Sequence, residues 1–127
     1  MKKLTGFSKN LQKQKMSSSK KYRLSKDQII KLATGYGGCL ASDKITVDGE
    51  PVGFMYREEP CFDQDSGWRF LAGTEDEEYM DNPDNTAIYD VNTIANYDRA
   101  IITYLHLPVG LELQRIEGTD EFEIIPG

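Results

Sequence analysis

The stretch GCLASDKITVDGEPVGFMY, residues 38–56, decides how the rest of the chain is arranged. Asp48 and Gly49 stand between two alternating runs, and both residue types tolerate positive φ, which makes the pair a strong signal for a two-residue hairpin. Such a turn pairs Ile45 with Val52. It puts Ile45, Val47, Val52, Phe54 and Tyr56 on one face of a sheet, the face expected to be core. Pro51 has no N–H to give to a ladder, so its strand end is expected at an edge or facing outward.

Upstream, LSKDQIIKLATGYGG (residues 24–38) predicts a helix of about ten residues, with Ser25 as the cap, Gln28 completing a capping box and Gly35 in the left-handed closing position. Downstream, DQDSG (residues 63–67) reads as a second turn feeding WRFLAG, in which Trp68, Phe70 and Ala72 alternate as the inner face of a strand does. TAIYDV (residues 86–91) predicts another strand. NYDRAIITYLHLP (residues 96–108) predicts a helix capped by Asp98 and stopped by Pro108. GLELQRIEGTDEFEII (residues 110–125) predicts a final hairpin around Gly118. The expected class is α+β: an antiparallel β-sheet built from hairpins, with two short helices packed on it.

Charge divides the chain unevenly. Residues 1–24 hold eight Lys and Arg and no acid, so the remaining residues carry seven bases against 21 acids; +8 and −14 give the net −6. Residues 1–24 are therefore read as a basic, flexible tail and residues 25–127 as a single α+β domain. Leu4, Phe7 and Leu11 share a helical face, so a basic amphipathic helix for an anionic membrane or a partner stays open beside the solvated arm. A body this acidic repels nucleic-acid phosphate and attracts basic proteins. Neither a secretory signal nor an 18-residue apolar run is present, so the expected location is the cytoplasm and no membrane partner is expected. Cys39 and Cys61 form no disulfide framework and no CxxC site.

The run SGWRFLAGTEDEEYMDNPDN (residues 66–85) concentrates acid in Glu75, Asp76, Glu77, Glu78 and Asp81. Calcium loops of the EF-hand kind need Gly at the sixth position, and Asp81 or Thr86 falls there instead. With one His, His106, and two distant thiols, no metal site and no cofactor is expected. No GxSxG elbow surrounds Ser42 or Ser66, and a body with 21 acids supplies carboxylate pairs too freely for any one to mean catalysis. TGYGG follows a helix pattern and precedes a strand, the reverse of a phosphate cradle. Two readings of the acid remain: solvated surface that guards a strand edge, or a docking patch in which Tyr79 and Met80 add apolar area.

Three runs, CLASDKITVDGEPVGFMYREEP, DSGWRFLAGTEDEEYMDNPDN and YDVNTIANYD, resemble the thirty-third immunity-protein family of bacterial polymorphic toxin systems, formerly a domain of unknown function. The likeness runs from about residue 38 to residue 98. It implies a non-enzymatic α+β immunity protein that binds and neutralises a cognate toxin in the cytoplasm, and it brings no catalytic residues. The expected partner-binding set is Trp68, Arg69, Glu75, Asp76, Glu77, Glu78, Tyr79 and Asp81. Two other functions stay open. One is an RNA- or ribosome-associated accessory protein working through the Lys-rich arm; the other is a small enzyme centred on Cys39, Cys61 or His106.

Overall fold

The computed structural model describes residues 20–126. Most of the basic arm, and with it the amphipathic Leu4, Phe7 and Leu11 pattern, lies outside the described residues. Residues 20–24 hydrogen-bond to the body: Lys20 Nζ to Asp43 Oδ1 at 2.9 Å, Arg23 N to Thr46 O at 2.8 Å and Leu24 N to Tyr97 Oη at 3.2 Å.

Six strands form one sheet: β1 (Gly38–Ser42), β2 (Phe54–Arg57), β3 (Asp65–Leu71), β4 (Thr86–Asp90), β5 (Glu112–Arg115) and β6 (Phe122–Ile125), in the spatial order β4-β1-β3-β2-β5-β6. Three short α-helices accompany it: α1 (Asp43–Thr46), α2 (Glu77–Asp81) and α3 (Val91–Tyr97). The class is α+β, as expected. All neighbours are antiparallel except β1 and β3, which run parallel at the centre.

That parallel pair overturns the Asp48–Gly49 hairpin. A two-residue turn moves the chain sideways by one inter-strand step of about 4.8 Å, but β3 lies between β1 and β2, so the connection must cross two steps. It does so through α1, not through a strand. Ser42 Oγ accepts from Lys44 N at 3.1 Å, and Asp43 O accepts from both Val47 N and Asp48 N, closing a helical turn where alternation suggested extension. Gly49 does take positive φ, at 79°. The five residues placed on one face consequently separate: Ile45 and Val52 join one core cluster, Phe54 and Tyr56 the other, and Val47 is half-buried.

Two further expectations are corrected. The ten-residue helix from Ser25 is only a 3-10 turn, Lys26–Gln28, although Gln28 Oε1 does accept from Ser25 N at 2.7 Å. Beyond it the chain is irregular, bending at Leu32 and Ala33 and turning at Thr34 and Gly35, and side chains of α3 take its N–H groups. Asn92 Oδ1 accepts from Leu32 N and Ala33 N at 2.7 and 2.8 Å, and Asn96 Oδ1 from Ile30 N at 3.1 Å. The helix expected over residues 96–108 is split. Asp90 caps α3 upstream, and Asp98, a cap as expected, accepts from Ala100 N to start the 3-10 helix Arg99–Tyr104. The strand at residues 86–90 and the terminal hairpin stand as read, with Gly118 at φ 78°.

The sheet is covered unequally. On one side α3 and the 3-10 helix Arg99–Tyr104 close over Cys39, Ala41, Met55, Trp68, Phe70 and Leu113. On the other, a smaller cluster of Leu40, Phe54, Tyr56, Leu71 and Met80 lies under α2 and Phe62. Every residue of β3 is buried, as a strand flanked on both edges and both faces must be.

Candidate partner-binding face

Because β1 and β3 are parallel, the segments that follow them, α1 and residues 72–85, leave the sheet at the same end. Lys44 ties them together: its Nζ reaches Thr74 Oγ1 at 2.9 Å and Thr74 O at 3.3 Å, and lies 5.4 Å from the centre of the Tyr79 ring. Asp76 caps α2 by accepting from Tyr79 N at 2.7 Å, which starts a helix in a run rich in like charge; acids in a first turn suit the positive end of the helix dipole. Met80 enters the smaller core cluster and Tyr79 packs half-buried beside it.

Of the expected contact set, Asp76, Glu77, Glu78 and Asp81 are exposed. Trp68, Arg69 and Glu75 are not at the surface. Trp68 is wholly buried and its Nε1 donates to Leu105 O at 3.2 Å. Arg69 is wholly buried too. Its guanidinium grips Asp65 through Nη1–Oδ1 (2.9 Å) and Nη2–Oδ2 (2.7 Å) and reaches Glu58 Oε2 through Nε at 2.6 Å. Glu75 is 7% exposed, and its two carboxylate oxygens accept from Ala72 N (2.8 Å) and Gly73 N (2.9 Å), closing the end of β3. These three build the platform; a partner on the surface cannot touch Trp68 or Arg69.

The structure adds acids that the sequence reading left aside. Burial raises the Asp43 carboxyl above the ordinary carboxylate range, the bond from Lys20 pulls it back, and Asp48 and Asp84 raise it again by repulsion. Burial likewise pushes the Tyr79 hydroxyl up to about 12, a hydrogen bond with Ser42 opposes this, and Asp43, Asp48 and Glu75 add to it. Asp43 therefore shares one field with Asp48 and Asp84, and Asp43, Asp48 and Glu75 act together on Tyr79 of α2, countered locally by Lys20 and Lys44. No spacing rule links residues 43 and 48 to residues 76–84; only the parallel pairing does, whereas Asp84 follows α2 directly in the chain.

Among the described residues no group of His, Cys, Asp and Glu is placed to hold a metal ion, and no helix is long and apolar enough to cross a membrane. Cys39 lies in the larger core and Cys61 beside Arg69 Nη2 (3.4 Å) on the other side of the sheet, while His106 is exposed. Burial raises both thiols, the opposite of what a nucleophilic cysteine needs.

A family model for the immunity protein Imm33 domain matches residues 39–125. The chain belongs to the Imm33 family. The match extends through the terminal hairpin, past residue 98 where the likeness of the three runs ends. Neither a curated protein nor a solved structure gives a significant match. Within this Imm33 domain, many of the residues in the recognisable words serve the fold. Arg57 Nε donates to Ser66 O (2.8 Å) and its Nη1 to Leu107 O (2.7 Å). Gly67 takes φ 89° where a side chain would collide with Glu58 O. Asn82 accepts from Asp84 N (3.0 Å), and Asn92 holds residues 30–33.

Proposed function

We propose that this chain is a non-enzymatic immunity protein that binds and neutralises a basic protein toxin in the cytoplasm. Asp76, Glu77, Glu78, Tyr79 and Asp81 make the contact, and Trp68, Arg69 and Glu75 hold that surface from beneath. The observation that carries this reading is that the segments after β1 and β3, which hold Asp43, Asp48 and the acids of residues 75–84, leave the sheet at the same end, with Asp43, Asp48 and Glu75 all acting on Tyr79 of α2. Such a field steers a cationic partner, and the half-buried Tyr79 among the acids supplies aromatic area of the kind that anchors an interface. Membership of an immunity family supports a protein toxin as the partner.

The test is affinity for the cognate toxin against salt. Raising ionic strength from about 0.05 to 0.5 M shortens the Debye length from roughly 14 to 4 Å and should weaken binding at least tenfold. Glu77→Lys with Glu78→Lys should weaken it by a similar factor at low salt. Binding that ignores both changes sinks the acidic-face reading.

A further inference from the structure

β4 is an outer strand, and its ladder to β1 has a fixed phase. Val91 N donates to Gly37 O at 2.9 Å. With Gly38 opposite Asp90 and Leu40 opposite Ile88, this makes those two facing pairs the non-bonded ones of an antiparallel ladder. The backbone N–H and C=O of Ile88 and Asp90 consequently point away from β1, toward the open side. The Ile88 side chain is 46% exposed although it stands across from Leu40, which is wholly buried.

Next to Ile88 the surface opens into a groove of about 340 Å³, walled by Phe62 and Ile88 and flanked by Asp63 and Asp90. Its floor is rigid. Gly38 N donates to Gln64 O at 2.7 Å and Ser66 Oγ to Gly38 O at 2.6 Å, while Gly37, at φ 100°, leaves no room for a side chain against Gln64 O. Asp90 Oδ1 accepts from Asn92 N at 2.8 Å. Among the described residues no cation pairs with Asp63 or Asp90.

We propose that the β4 edge and this groove accept an extended, lysine- or arginine-bearing segment of a protein partner. The segment adds as a strand beside β4 and lays one cationic side chain between Asp63 and Asp90, its aliphatic stem against Phe62 and Ile88. Apolar walls ending in two carboxylates fit a side chain with an apolar stem and a charged head. Main-chain bonds to an exposed edge supply affinity, and the pocket beside it supplies selectivity. A second copy of the chain is a poorer occupant, since two bodies each at −14 over residues 25–127 repel. The groove lies at the Gly38–Asp90 end of the β1–β4 pair, away from the Ser42–Thr86 end that adjoins α1 and α2, so the carboxylates that hold the cation are not those of the α2 surface.

The full 127-residue chain, labelled with ¹⁵N, is titrated with the peptide acetyl-Thr-Lys-Thr-Lys-Thr-Lys-Thr-amide. Amide shifts should move at Gly37, Ile88, Asp90 and Val91. The matching glutamate peptide should bind at least tenfold more weakly, as should the lysine peptide to Asp63→Asn with Asp90→Asn, where Asn keeps the helix cap. Ile88→Lys, at an exposed position, should weaken binding by the same factor. Glu77→Lys with Glu78→Lys should leave it unchanged, which separates this site from the proposed toxin face. Shifts confined to residues 76–81, undiminished affinity in the double Asn variant, absence of peptide binding, or self-association through β4 would each overturn the proposal.

Discussion

Trp68 and Phe70 leave β3 on one side and Arg69 on the other, and different forces hold the two sides. The first side is apolar: Trp68 and Phe70 stack with ring centres 6.1 Å apart under α3 and the 3-10 helix Arg99–Tyr104. The second has few apolar residues and an ion network at its centre. Arg69 and Asp65 are paired with no exposure of either side chain, and Glu58 completes the group. Asp65 is satisfied beyond the pair, accepting from Gly67 N and Cys61 N at 2.8 Å each. Apolar packing loses stability in steps as atoms are removed, whereas a buried pair fails at once when one charge is stranded.

Substitutions on the two sides should therefore cost very different amounts. Arg69→Met leaves the Asp65 carboxylate buried without its cation and should destabilise by about 3–5 kcal/mol in urea unfolding. Ile94→Val, in the apolar core, should cost only about 0.5–1.5 kcal/mol. Adding Asp65→Asn to Arg69→Met should recover part of the loss, because the stranded charge is then gone. A cost below about 1 kcal/mol for Arg69→Met would mean that the two sides do not differ as described.

The same network sharpens the comparison through pH. Burial alone would raise the Asp65 carboxyl, but the bonds from Arg69, Cys61 N and Gly67 N outweigh it and hold Asp65 below its ordinary 3.8. A carboxylate whose folded value is depressed contributes stability that is fully present above the unfolded value. That contribution is lost as pH falls through the folded one. Stability should hence drop below about pH 4, and the Asp65→Asn variant should lack that part of the acid limb. Acid titrations of the two proteins that run parallel below pH 4 would exclude this assignment.

This contrast also explains how much could be read in advance. Alternation in WRFLAG revealed the apolar side of β3, since Trp68 and Phe70 announce a core face by type. Arg69 did not. An arginine within an aromatic run reads as surface until Asp65 and Glu58 are seen around it, and that meeting depends on the turn at residues 58–64 folding back. The strand at residues 86–90 and the terminal hairpin rest on local signals and were legible for that reason. The placement of β1 beside β3 is non-local: nothing in residues 38–56 shows that a later strand inserts between the two halves. The Asp48–Gly49 signal was genuine in its φ but served a helical turn. The candidate site followed the same rule. Asp76, Glu77, Glu78 and Asp81 were visible as one run with Asp84 just beyond it, while Asp43 and Asp48 came to the same end of the sheet only through the parallel pairing.

The smallest effect concerns two acids that the sequence does not distinguish. Glu75 and Glu77 belong to one acidic run, yet Glu75 is 7% exposed and gives both oxygens to Ala72 N and Gly73 N, whereas Glu77 is solvated in the first turn of α2. Glu75→Gln keeps the shape of the side chain but replaces one acceptor with an NH₂ that faces an N–H donor. One buried backbone N–H then loses its partner, and unfolding should show a loss of about 1–3 kcal/mol. Glu77→Gln should cost at most about 0.3–1 kcal/mol, the scale of a solvated carboxylate's interaction with a helix N-terminus. Equal costs would place Glu75 in solvent with its neighbours and return it to the contact surface. The expected difference makes Glu75 the hinge between the two roles of the acidic run, fixing the end of β3 so that the carboxylates after it are held at the surface.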